Sequence, residues 1–168
     1  MSAATLIRNG RIEADDYQWP DDADPIPGRG RIVVGLDRWR AEADALNRND
    51  LQVGVALPNT ADIESLEHGV LERPLLVLCF PGFADGRAYS QARLLRRRGY
   101  HGELRASGDA VVLDQLQSMM RCGFDSFALR ADQDPQRCLD AHRAFDLAYQ
   151  PLDAATPLVS RLRRSTAP

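Results

Sequence analysis

Leu75-Leu76-Val77-Leu78-Cys79-Phe80, followed by Pro81-Gly82-Phe83-Ala84-Asp85-Gly86 and then Arg87-Ala88-Tyr89-Ser90-Gln91-Ala92-Arg93-Leu94-Leu95-Arg96-Arg97-Arg98-Gly99, is the stretch that decides the fold. An apolar run reads as a strand, a Pro-Gly turn interrupts it, and apolar positions at helical spacing carry the chain to a glycine stop. That is one βα unit. The same alternation extends to both sides. Strands are predicted near Arg31 to Val34, Leu51 to Leu57, Leu75 to Phe80, His101 to Arg105 and Phe124 to Leu129. Helices are predicted over Asp37 to Arg48, Asp62 to Val70, Gly86 to Arg98, Ala110 to Cys122 and Pro135 to Tyr149. Asp85, Asp109 and Asp134 are N-cap candidates, Pro135 suits a first helical position, and Gly99 and Gly123 suit C-caps.

Five βα units at a spacing of about 20 to 27 residues imply an α/β fold with a parallel sheet, right-handed crossovers and flanking helices. Periodicity does not decide between an open sheet and an incomplete barrel. A complete barrel of eight units needs about 250 residues, more than this chain has. Before the units, Leu6-Ile7-Arg8-Asn9-Gly10-Arg11-Ile12 reads as a tight hairpin around Asn-Gly. Residues 13 to 30 mix Asp15, Asp16, Asp21, Asp22 and Asp24 with Pro20, Pro25 and Pro27, and read as an acidic loop or tether anchored only by Tyr17, Trp19 and Ile26. The expected organisation is therefore an N-terminal hairpin and loop over 1–30, an α/β domain over 31–150 and a tail over 151–168.

The 168 residues carry 21 basic and 24 acidic side chains, and every basic one is arginine. Without lysine there is no Walker-type phosphate loop, no pyridoxal-phosphate Schiff base and no amine nucleophile. Guanidinium remains, and it binds oxyanions and carboxylates through paired hydrogen bonds. A net charge of −3 gives no basic field for bulk nucleic-acid binding. No apolar run approaches the length of a membrane span, so neither nucleic acid nor membrane is an expected partner, and a cytoplasmic location is expected. Cys79, Cys122 and Cys138 make no C-x-x-C pair and read as buried, reduced thiols. His68, His101 and His142 lack ligand spacing, and Gly28-Arg29-Gly30 precedes its strand and lacks a third glycine. No metal or cofactor is called for. Arg96-Arg97-Arg98, and Arg161, Arg163 and Arg164 in the tail, read as solvated faces. Leu113, Leu116, Met119 and Met120 read as core.

Ligands of such sheets collect beyond the carboxyl ends of the strands, which selects two segments. In the first, Pro81, Asp85 and Gly86 shape the entry to a helix while Arg87 faces an anion at its positive end; the plainer alternative is a stiff turn and an ordinary cap. In the second, His101, Glu103 and Arg105 point to one side of a strand, and Ser107, Gly108 and Asp109 follow. A buried charge must be paired, reach water or line a site, so Arg105, Ser107 and Gly108 join Arg87 as anion-binding candidates. A Glu103–Arg105 or Glu103–Arg87 bridge is the structural alternative. Asp85 and Glu103 are the candidate acid or base.

The succession from Phe80 to Arg96, Gly102 to Asp109, Asp114-Gln115-Leu116 and Arg121 to Asp125 resembles the bacterial domain-of-unknown-function family nine hundred thirty-four. The likeness takes in Leu6-Ile7 and Asn9-Gly10, Ile32 to Leu36 with Trp39, Leu51 to Val55 with Leu57, and Phe145 with Tyr149-Gln150; the chain departs from the pattern at Gly82 and Ser107. The resemblance implies a place in sulfite reduction, beside sulfite reductase, and an oxidoreductase role. The chain itself carries no dinucleotide fingerprint, iron–sulfur thiolate set or evident haem ligand. Two readings follow. One is an accessory of assimilatory sulfite reduction that docks to sulfite reductase or its electron donor, using the acidic segment and the tail and binding an oxyanion through Arg87 and Arg105. The other is a small enzyme acting on an anionic substrate with Asp85 or Glu103 as acid or base.

Overall fold

A computed structural model of the chain describes residues 5–47 and 50–146. The apolar runs form a single sheet: β1 (Thr5–Arg8), β2 (Arg11–Ala14), β3 (Gly30–Gly35), β4 (Leu51–Leu57), β5 (Leu75–Phe80), β6 (Glu103–Gly108) and β7 (Ser126–Ala128). Their order is β2-β1-β7-β6-β5-β4-β3, with β3 to β7 parallel and β1 antiparallel to both β2 and β7. The helices are α1 (Leu36–Ala41), α2 (Ala43–Leu46), α3 (His68–Leu71), α4 (Arg87–Arg97), α5 (Leu113–Arg121) and α6 (Pro135–Asp146).

The parallel strands stand in chain order. Right-handed crossovers that always step the same way put every helix on one face, as in a barrel, and the sheet curls into an open half-barrel. Its helix-bearing face supplies Val55, Leu57, Leu76, Leu78, Phe80, Leu104 and Phe127, packed on Ala88, Ala92 and Leu95 of α4, Leu116 and Met119 of α5, and Leu139 of α6. Full burial of each large side chain contributes about 1.5–3 kcal/mol. Among the described residues no helix lies on the inner face. Residues 15–18 cross it as a strap, on which Tyr17 packs against Val33, Leu75 and Val77.

The Asn9-Gly10 turn closes the first hairpin with positive φ at both residues (52° and 68°), the geometry a two-residue turn requires. Helices α4 and α5 both end as expected at Gly99 and Gly123. Tyr100 N–H donates to Leu95 C=O (3.0 Å) and Gly99 N–H to Arg96 C=O (3.0 Å), and the same pair recurs from Phe124 to Met119 and Gly123 to Met120. Asp134 caps α6, accepting from the N–H groups of Gln136 (2.9 Å) and Arg137 (3.4 Å).

Several boundaries move. The helix expected over Asp62 to Val70 shrinks to the single turn of α3, because the carbonyls of Ile63 and Leu66 accept from the Arg98 guanidinium. The strand expected from His101 begins at Glu103. Helix α5 begins at Leu113 rather than Ala110, with Val112 in the cap position, so Asp109 stands outside it and does not cap it. Cys79, expected to be buried, is exposed, whereas Cys122 and Cys138 are buried. The acidic loop is not a tether: Gln18 bridges to Ile32, and the buried Arg38 donates to the carbonyls of Asp21 (2.6 Å) and Asp24 (2.5 Å). Of the basic triplet, Arg97 and Arg98 are exposed as expected, although Arg98 also donates to the carbonyls of Ile63 and Leu66; Arg96 is half-buried and donates to the carbonyls of Tyr100, Gly102 and Gly123 and to the Asp125 carboxylate. The tail from Tyr149 to Pro168, Arg48, and the side chains of His142 and Phe145 lie outside the described residues.

Candidate functional site

At the carboxyl end of β5 the chain turns through Pro81-Gly82-Phe83-Ala84-Asp85, closed by Asp85 N–H donating to Gly82 C=O (3.1 Å), and enters α4 at Arg87 with Gly86 in the cap position. Pro81, Gly82, Ala84, Asp85, Gly86 and Arg87 line an open depression of about 620 Å³. Phe83 projects beside it, 66% exposed. The Arg87 guanidinium grips Asp85 with two bonds, Nε to Oδ1 (3.0 Å) and Nη2 to Oδ2 (2.6 Å). The Arg87 backbone N–H (3.2 Å) and the Asn59 amide also donate to this carboxylate. Hydrogen bonding from Arg87 holds the Asp85 carboxyl at about 2, below its ordinary 3.8. Next to the loop, desolvation by the surrounding atoms, despite the residue's exposure, and the carboxylates of Asp109 and Asp85 push the Cys79 thiol up, which disfavours its reactive thiolate.

Gln91, one turn into α4, fixes the neighbouring loop after β4 by donating its Nε2 to Pro58 C=O (2.9 Å) and Ala61 C=O (3.0 Å). Tyr89 meets Phe80 edge to face at 5.0 Å and donates its hydroxyl to Gln115 (2.7 Å). The turn is thereby built on the helix-side core.

The second cluster lies on the inner face under the strap. Arg105 is wholly buried, with 0% of its surface exposed. Its Nε (3.2 Å) and Nη2 (2.9 Å) donate to Glu103 Oε1, and its Nη1 donates to Asp15 Oδ1 (2.7 Å). Glu103 Oε1 also accepts from the Ser126 hydroxyl (2.6 Å), and its Oε2 from Arg8 (3.4 Å). The Tyr17 ring lies 5.4 Å from the Arg105 guanidinium carbon. Arg8 in turn holds Glu13, and Arg31 holds Asp16. This network ties β1, β6, β7 and the strap together, and every member is paired.

The structure therefore separates the two arginines. Arg87 stands at the rim with its side chain 58% exposed, whereas Arg105 is enclosed with its carboxylates. Of the alternatives for Glu103, its bridge runs to Arg105 and not to Arg87. Ser107 lies opposite Cys79 on the inner face. Gly108 stands opposite Phe80, and the following amide, Asp109 N–H, is spent on Phe80 C=O (2.9 Å). Asp15, Arg8, Ser126 and Asn59 belong to these clusters without having been singled out from the sequence. No sequence signal pointed to Asp15, which lies 90 residues from Arg105 along the chain.

These features define an α/β half-barrel protein with a polar rim at the carboxyl ends of its strands and a closed ionic network beneath a strap. The chain belongs to the DUF934 family, described as a bacterial protein of unknown function, whose profile matches residues 54–159. No curated protein and no solved structure matches it. No helix among the described residues is long and apolar enough to cross a membrane.

Proposed function

We propose that the protein is a noncatalytic accessory of assimilatory sulfite reduction in the cytoplasm, docking to sulfite reductase or to its electron donor. The pathway comes from the family resemblance. The observation that favours docking over catalysis is the pairing of both candidate carboxylates with arginine: Asp85 with Arg87, and Glu103 with Arg105 and Arg8. A general acid or base works best with a value near the operating pH, and the Arg87 guanidinium drives the Asp85 carboxyl the other way, while both oxygens of Glu103 are already occupied by Arg105, Ser126 and Arg8. The rim is left with recognition. An oxyanion would meet the exposed Arg87, because Arg105 would first have to give up Asp15 and Glu103.

The docking surface we favour is the acidic turn after the strap. Arg38 holds its carbonyls from below, so the exposed side chains of Asp21, Asp22 and Asp24 and the indole of Trp19, 43% exposed, are presented without an ordering cost. The test is turnover of purified sulfite reductase with its donor, with and without this protein, and with Trp19→Ala and Asp22→Arg. Enhanced turnover that both substitutions weaken is expected. A protein that neither binds the reductase or donor nor alters turnover overturns the reading.

A further inference from the structure

The two edges of the sheet are finished differently. At β3 the strap adds to the edge: Gln18 N–H donates to Arg31 C=O (2.9 Å) and Val33 N–H to Gln18 C=O (2.8 Å). No described residue does the same for β2. In a two-residue hairpin the pair flanking the turn exchanges both backbone bonds, so Arg11 and Glu13 turn their backbone groups to β1. Ile12 and Ala14 turn theirs outward. Among the described residues nothing pairs with these outward groups, and Ile12 on this edge is 41% exposed.

We propose that β2 pairs antiparallel with β2 of a second copy of this chain, about a two-fold axis at Ile12, joining two half-barrels into one continuous sheet. This inference is independent of the sulfite-reduction reading. The strand is self-complementary in that register. Ile12 faces Ile12 of the second copy and exchanges both backbone hydrogen bonds with it, and Arg11 faces Glu13 of the second copy on either side of the axis. Charges on an edge strand usually repel a second copy; opposite signs two residues apart do the reverse. The groups are available: Arg11 makes no hydrogen bond or ion pair among the described residues, and Glu13 accepts from Arg8 through Oε2 alone.

The experiment is sedimentation equilibrium of the full-length protein, where a mass twice 18.7 kDa is expected. Ile12→Pro removes an N–H that β1 does not use, and Arg11→Glu sets like charges opposite each other; each is expected to halve the mass with an unchanged far-ultraviolet circular dichroism spectrum. Arg11→Glu leaves the backbone untouched, so it decides the matter if the proline variant unfolds. A wild-type protein that sediments as a single chain over its whole concentration range overturns the proposal. A dimer that survives both substitutions does so as well, by placing the interface elsewhere. So does a single chain whose Ile12 amide is protected from exchange, since the edge would then be covered by the chain's own terminal segments.

Discussion

Arg105 is held by what surrounds it, and its removal shows the value of the arrangement. Truncation to alanine leaves Glu103 and Asp15 facing each other under the strap with their cation gone, and breaking one side of a buried pair costs about 3–5 kcal/mol. Arg105→Ala is therefore expected to lower the urea midpoint strongly, and a loss under about 1 kcal/mol would mean that water or Arg8 replaces the cation. Asp85 behaves differently because it lies at the rim. Its folded value is below its unfolded one, so its contribution to stability is present above the ordinary value of 3.8 and is lost as pH falls toward about 2. Carboxyl-carbon NMR should find its midpoint near 2 in the wild type and shifted upward in Arg87→Ala. An unmoved midpoint would reassign the effect to Asn59 and the Arg87 backbone amide. The pairing of Glu103 with a neighbouring arginine was legible in the sequence, because a central strand cannot hold a lone charge. That Asp15 closes the set was not, because its distance along the chain hides the contact.

The elements were legible wherever an apolar run met a clear stop. Strands β4 and β5 occupy the predicted residues, and the glycines after α4 and α5 end those helices. The failure over Asp62 to Val70 has a physical cause: Ile63, Leu66 and Val70 keep a helical spacing and are buried, but the chain between them lies across the core as a loop. Burial set the spacing, while Arg98 donates to the Ile63 and Leu66 carbonyls and the Leu66 N–H to Ile63 C=O bond (3.4 Å) closes a turn rather than a helix. Gly108 marks another point that pattern alone misses. It has φ of 114°, and a Cβ there would lie under 3.0 Å from the carbonyl oxygen and carbon of Phe80. At Gly99 the φ is 84° but no atom lies within 4 Å of that position. Gly99→Ala should thus cost about 1–2 kcal/mol of backbone strain, and Gly108→Ala distinctly more, because the β5 backbone cannot yield as a side chain would. Equal losses in paired urea melts would mean that β5 and β6 part easily at their carboxyl ends.

On the scale of the molecule, chain-order strands leave one face of the sheet without helices among the described residues, and the strap packs on that face. Tyr17 carries the closure twice over. Its ring packs on Val33, Leu75 and Val77, and the same ring lies 5.4 Å from the Arg105 guanidinium and 5.8 Å from that of Arg31. Tyr17→Ala removes apolar contact and cation–π attraction together and opens the ionic network to water. By analogy with buried aromatic truncations the cost is about 3 kcal/mol or more. The loss should have a place as well as a size. Val33 N–H donates to Gln18 C=O across the strap, whereas Leu76 lies in the middle of the sheet. In Tyr17→Ala, hydrogen exchange at Val33 should accelerate beyond what the fall in global stability explains, and Leu76 should follow the global value. If both amides accelerate equally, strap and sheet open as one cooperative unit, and the inner face is a core rather than a covered surface.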